Sequence, residues 1–121
     1  MKAYTTLEQS KKLAKILPVD SADMYYAYDI VYAIPYKNGI GAEEPCWSLA
    51  ALIDALPLGI SIQNISDGHK IYYYVEIYTK EIYMKLKRMN KDEICLSTQR
   101  HENLIDACVE MIVTLEERNL L

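Results

Sequence analysis

The sequence predicts an α+β fold in two layers, ordered helix, helix, antiparallel β-meander of three to four strands, helix, and three stretches carry that reading. Cys46-Trp47-Ser48-Leu49-Ala50-Ala51-Leu52-Ile53-Asp54-Ala55-Leu56-Pro57 holds a single charge, Asp54, and stops at a proline, as a helix buried on most sides would. Residues 69–79 alternate, Ile71, Tyr73, Val75 and Ile77 against Tyr72, Tyr74, Glu76 and Tyr78, which is the period of a half-buried strand. Residues 104–115 place Leu104, Cys108, Met111 and Leu115 on one helical stripe flanked by Ile105, Val109 and Ile112, a face wide enough to cover a sheet.

In chain order, Thr5 and Glu8 have the S/T-x-x-E spacing of a capping box ahead of an amphipathic helix over residues 6–17, which Pro18 ends. Residues 24–34 have strand composition, with Met24, Tyr26, Tyr28, Ile30, Tyr32 and Ile34 on one side of a pleat, in a strand or a loose hairpin. Pro35, Asn38-Gly39, Gly41 and Pro45 mark turns, so residues 19–45 read either as a flexible flap or as an extra edge strand within a single domain spanning 1–121. Ser48 is placed to cap the central helix, with Trp47 packing on Leu52 as a hydrophobic staple. A helix this short needs tertiary burial to persist.

Residues 60–65 open the meander and shift phase at Ile65, as a bulge requires. Ser66-Asp67-Gly68-His69 supplies a hairpin turn. Residues 81–88 repeat the alternation, Ile82, Met84 and Leu86 against Tyr83, Lys85 and Lys87; a turn follows at 89–92, and residues 93–98 form the last strand with Ile94 and Leu96 inward. Asn103 caps the final helix and Asn119 ends it, with Glu110, Glu116, Glu117 and Arg118 on its wet side.

A chain of 121 residues buries enough apolar surface to fold without disulfides or metal. A net charge of −4 argues against broad attraction to nucleic acid or an anionic membrane. The first twelve residues hold no continuous apolar leader and no segment approaches a membrane span, so a cytoplasmic location is expected. Cys46, Cys95 and Cys108 are widely spaced among apolar neighbours and are read as buried free thiols. Eleven tyrosines with no phenylalanine imply rings at boundaries, where a hydroxyl can stay in water.

Several segments carry a likeness. Ser21-Ala22-Asp23-Met24, Pro45-Cys46-Trp47-Ser48-Leu49-Ala50-Ala51-Leu52, Leu56-Pro57 and Asp106-Ala107-Cys108-Val109-Glu110-Met111-Ile112, with Thr6-Leu7-Glu8-Gln9-Ser10-Lys11 near the start and Asn119-Leu120-Leu121 at the close, resemble a group of short uncharacterised proteins of gut bacteria and their prophages or mobile elements. The likeness covers both ends and the middle; residues 25–44 and 60–98 match only in general character. It implies a phage-type or mobile-element origin and a cytoplasmic accessory role, and it transfers no catalytic residue.

The chemistry-bearing residues are few. There is no nucleophile elbow, H-E-x-x-H, P-loop or glycine-rich dinucleotide turn, and no cofactor, metal or small-molecule ligand is indicated. His69 and His101 are the only imidazoles and fall in exposed loops without ligand spacing, while Asp54 belongs on the wet stripe of its helix. Cys46 stands near a helix start, where a thiolate gains from the dipole, so one alternative is a small enzyme using a cysteine or histidine in a pocket under the 19–45 flap. The leading candidate is the sheet face away from the helices, where Tyr72, Tyr74, Tyr78 and Tyr83 join Lys85 and Lys87 as a binding surface for a protein partner or a second copy. A solvated or self-covered face and weak single-stranded nucleic-acid binding are the other readings, the last opposed by the acidic balance. The expectation is a non-enzymatic protein-binding or regulatory module.

Overall fold

The computed structural model describes residues 3–57, 59–78 and 95–121. The fold is mixed α+β, and the described residues form three helices and two antiparallel sheets of three strands each. Contacts divide the chain into two compact units, residues 1–55 and 56–121.

The first unit contains α1 (Leu7–Leu13), β1 (Met24–Ala27), β2 (Ile30–Tyr32), β3 (Glu44–Cys46) and α2 (Leu49–Ala55). The cap of α1 is Thr6, one residue later than the capping-box spacing suggested: Gln9 N–H donates to Thr6 Oγ1 at 3.1 Å and Thr6 N–H donates to Gln9 Oε1 at 3.0 Å. Thr5 is drawn away because it is fully buried and pairs with Trp47, its N–H donating to the Trp47 carbonyl at 3.0 Å and its Oγ1 accepting from Trp47 N–H at 3.2 Å. Regular α1 ends at Leu13, short of residue 17, and the chain reaches Pro18 through tighter turns that include Ile16 N–H donating to the Leu13 carbonyl.

β1 and β2 form a hairpin whose two-residue loop, Tyr28-Asp29, holds both φ angles positive at 52° and 62°, the geometry of a type I′ turn. This turn overturns the expected pleat phase. Tyr25 and Ala27 are the buried residues of β1, whereas Tyr28 stands 83% exposed at the tip. The Tyr25 ring stacks on Tyr32 with centroids 5.1 Å apart, and a Cβ on Gly39 would come within 2.7 Å of it, so only glycine fits there. β1 is the central strand of the order β2-β1-β3.

Ser48 caps α2, its Oγ accepting from Ala51 N–H at 3.2 Å. The Asp23 carboxylate holds that cap in place, accepting from Ser48 N–H at 2.9 Å and from the Ser48 hydroxyl. Only Ala51 and Leu52 of α2 are buried, and Ala50 and Asp54 face water. The helix therefore buries one side rather than most sides, with its one charge on the wet stripe.

The second unit contains β4 (Ile60–Ser66), β5 (Ile71–Tyr78), β6 (Cys95–Ser97) and α3 (Leu104–Glu117), with the strands in meander order β4-β5-β6. The register of β4 on β5 runs unbroken from Ile60 opposite Ile77 to Ser66 opposite Ile71, so the bulge expected at Ile65 is absent. Ile65 continues the alternation and pairs with Tyr72 instead. The hairpin turn is as expected: Gly68 carries a φ of 102°, and Asp67 Oδ1 accepts from Lys70 N–H at 3.0 Å and His69 N–H at 3.2 Å. Those N–H groups, Lys70 first, hold the Asp67 carboxyl below its ordinary range. The strand expected over 81–88, the turn at 89–92 and residues 93–94 lie outside the described residues.

α3 begins at the Asn103 cap, whose Oδ1 accepts from Ile105 N–H at 2.7 Å. It ends in a Schellman arrangement, with Asn119 at φ 55°, its N–H donating to the Glu116 carbonyl and that of Leu120 to Leu115. Its buried residues, Ile105, Ala107, Cys108, Val109, Met111, Ile112 and Leu115, pack against β5. Val75 and Ile77 of β5 and Leu96 of β6 are buried, whereas Ile71, expected inward and paired with Ser66 next to the turn, is 53% exposed. The helix covers one end of the sheet and leaves the hairpin end bare on that side.

Candidate functional site

Directly opposed residues of an antiparallel ladder share a face, so the register sorts the sheet into two sides. Ile60, Ile62, Val75, Ile77 and Leu96 lie on the side that meets α3. The opposite side carries Ile65 next to Tyr72, Gln63 next to Tyr74, Ser61 next to Glu76 and Ser97, and Tyr78 next to Cys95. The structure thus brings Tyr72, Tyr74 and Tyr78 together on one surface, Tyr78 55% exposed and the other two half-buried. Tyr83, Lys85 and Lys87 lie outside the described residues. Of the ten described tyrosines only Tyr25 is buried, which matches the boundary role expected from the composition.

A bulge does occur in this sheet, past β6 rather than in β4. Between the pair Glu76–Ser97 and the pair Tyr73–His101, β5 has two residues, Tyr74 and Val75, and the other segment has three, Thr98, Gln99 and Arg100. The extra residue is absorbed around Thr98, whose N–H donates to the Val75 carbonyl and whose Oγ1 accepts from Val75 N–H, both at 2.9 Å. An inserted residue switches the side of the sheet to which the following side chains belong. His101 goes to the helix side, its Nε2 3.0 Å from Glu110 Oε1, while Glu110 Oε2 accepts from Gln99 N–H at 2.9 Å. The expectation of a free loop histidine and a water-facing Glu110 is corrected accordingly. Arg100 goes to the tyrosine side.

There Arg100 lines a cleft of about 260 Å³ with Ile65, Ser66, Asp67 and Tyr72. Asp67 is engaged by its own turn, and Arg100 makes no hydrogen bond or ion pair with another described residue. The tyrosine surface therefore ends at an arginine that lines the cleft and has no hydrogen-bond or ion-pair partner among the described residues. Sequence reasoning missed Arg100 because no pattern marks a residue that a bulge re-aims.

Cys95, read as buried, is exposed, since its partner on the ladder is Tyr78 on the open face; its Sγ–H donates to Glu76 Oε2 at 3.3 Å. Burial, and then the Glu76 carboxylate, push that thiol up. Cys46 is fully buried, 3.6 Å from both Thr5 Oγ1 and the Thr5 carbonyl, and burial pushes its thiol above the ordinary range, the reverse of nucleophile activation. Cys108 is pushed up to about 11 by burial alone. We expect iodoacetamide at pH 8 to modify only Cys95 in the native protein and all three thiols in urea; native modification of Cys46, read by mass spectrometry, would contradict the packing described.

A second cleft, of about 340 Å³, is lined by Asp20, Ser21, Asp23, Ala50, Ala51, Asp54 and Ala55, with none of the three side chains considered for catalysis, Cys46, His69 or His101. Among the described residues no group of three or more His, Cys, Asp or Glu is arranged to hold a metal ion, and no helix is long and apolar enough to cross a membrane. Compared with protein-family models, curated proteins and solved structures, the chain matches none.

Proposed function

We propose that the chain is a non-enzymatic protein-binding module, of accessory or regulatory kind, whose partner docks on the open face of the β4-β5-β6 sheet at Tyr72, Tyr74, Tyr78 and Arg100. The observation that carries this reading is the bulge that delivers Arg100, without a partner among the described residues, to the end of a tyrosine row. Tyrosine and arginine dominate binding hot spots because each offers a large contact area and directed donors with few torsions to freeze. The partner that fits presents a carboxylate to Arg100 and apolar or aromatic side chains to the tyrosines. The net charge of −4 supports a protein over a nucleic acid. A phage or mobile-element setting and action in the cytoplasm, which the resemblance implies, belong to the same proposal.

The test is capture of a host protein on tagged chain, compared between wild type, Arg100→Ala and the double variant Tyr74→Ser/Tyr78→Ser. Loss of a hot-spot side chain costs about 2 kcal/mol or more, so we expect binding weakened about thirtyfold or more in each variant. The melting temperature should stay within about 5 °C of wild type, since Tyr78 is exposed and Arg100 pairs with no described group. Equal capture by all three proteins would sink the proposal. A drop of well over about 5 °C would instead make the tyrosines structural.

A further inference from the structure

We infer that two copies of this chain pair through β4, antiparallel about a twofold axis at Gln63, joining their sheets into one of six described strands. The observation is the edge itself. In the order β4-β5-β6, β4 is bonded on one side only among the described residues, and five of its seven residues, Ser61, Ile62, Asn64, Ile65 and Ser66, are exposed. An open edge is a row of unpaired N–H and C=O groups, which proteins usually protect with lysine, proline, a bulge or shortness. β4 has none of these: Ile60-Ser61-Ile62-Gln63-Asn64-Ile65-Ser66 holds no charge, no proline and no glycine, and its register is regular for seven residues.

The occupant that fits is a second β4. Centred on Gln63, antiparallel pairing sets Ile60 opposite Ser66, Ser61 opposite Ile65, Ile62 opposite Asn64 and Gln63 opposite its own mate, so all seven residues are matched. Every pair joins residues of the same parity, so the backbone groups that point outward on one strand meet outward groups on the other, and the α3 sides stay on one face. The two Ile62 side chains, 40% exposed in the single chain, become diagonal neighbours across the axis. The net charge of −4 opposes association in general, but no charge lies on the strand that meets its copy. A twofold joint closes on itself, giving a dimer rather than a fibre. It also makes the tyrosine surfaces of the two copies one continuous face.

This inference rests on the edge backbone, separately from the tyrosine reading, and the two fail separately. One strand pair is a small interface, so the full chain is measured by sedimentation equilibrium at about 0.5 mM, where we expect twice the 13.9 kDa chain mass. Gln63→Lys places like charges opposite each other at the axis, as does Gln63→Glu. Each variant alone should run as a monomer, and an equimolar mixture of the two should restore the dimer. The Tyr74→Ser/Tyr78→Ser variant should remain dimeric. A monomeric wild type, a dimeric Gln63→Lys, or a mixture that stays monomeric overturns the joint; loss of the dimer in the tyrosine variant overturns it too, and moves self-association to the tyrosine face.

Discussion

We expect Trp47→Ala to cost about 3–5 kcal/mol, the range for deleting a large buried aromatic side chain whose site cannot collapse. Trp47 is fully buried and its polar atoms are all engaged: the backbone N–H and carbonyl with Thr5, and Nε1–H donating to Ser21 Oγ at 2.9 Å. It sits where β3 hands the chain to α2, so the void opens at that junction. A loss of this size is a large share of the 5–15 kcal/mol typical of a domain. The measurement is a urea titration followed by circular dichroism. Trp47→Phe, which keeps most of the ring and loses the Nε1 donor, should cost about 1–2 kcal/mol, and an alanine loss no larger than that would show that the ring is not the support described.

Thr5→Val is expected to cost about 2–4 kcal/mol although it leaves almost no cavity, because its effect is polar. The Thr5 hydroxyl accepts from Trp47 N–H at 3.2 Å and lies 2.8 Å from Ser10 Oγ, and both Thr5 and Ser10 are fully buried. With valine, the buried Trp47 N–H loses its side-chain acceptor and the Ser10 hydroxyl loses one of its partners, keeping the Cys46 thiol. Each buried group that loses a partner in this way costs about 1–3 kcal/mol. Thr5→Ser keeps the hydroxyl and should lose only about 1 kcal/mol from the missing methyl. The comparison of the two variants is the test: a serine variant as unstable as the valine variant would move the cause from hydrogen bonding to packing.

Both predictions concern residues whose importance the linear pattern misstated. Thr5 was legible as a cap and Trp47 as a staple, each a local role on a short helix. Their main function is to pair with each other across forty-two positions of chain, which no window of sequence contains. Position Ile65 shows the same limit. Its break in apolar phase read as a bulge, but the ladder is continuous there and the isoleucine lies on the open face beside Tyr72. The real bulge, around Thr98 to Arg100, sits in a polar stretch with no apolar rhythm to disturb, and only the pairing of Tyr73 with His101 reveals it.

By itself the sequence determined the elements whose signals are local: the α+β class, the alternation that puts Tyr72, Tyr74 and Tyr78 on one side of β5, the Asp67-Gly68 turn, and α3 with its asparagine at each end. These depend on periods of two or 3.6 residues and on caps, so neighbours in the chain suffice to specify them. The tertiary structure alone decided what depends on partners far away in sequence: the turn of the 24–34 hairpin at Tyr28-Asp29, held without an Asn-Gly pair, the capture of Thr5 by Trp47, the edge of β4 without a partner among the described strands, and the turn of Arg100 onto the tyrosine face. The physical reason is the same in each case. A backbone donor or acceptor must find a partner somewhere, and which one it finds is settled by which strands and loops arrive beside it.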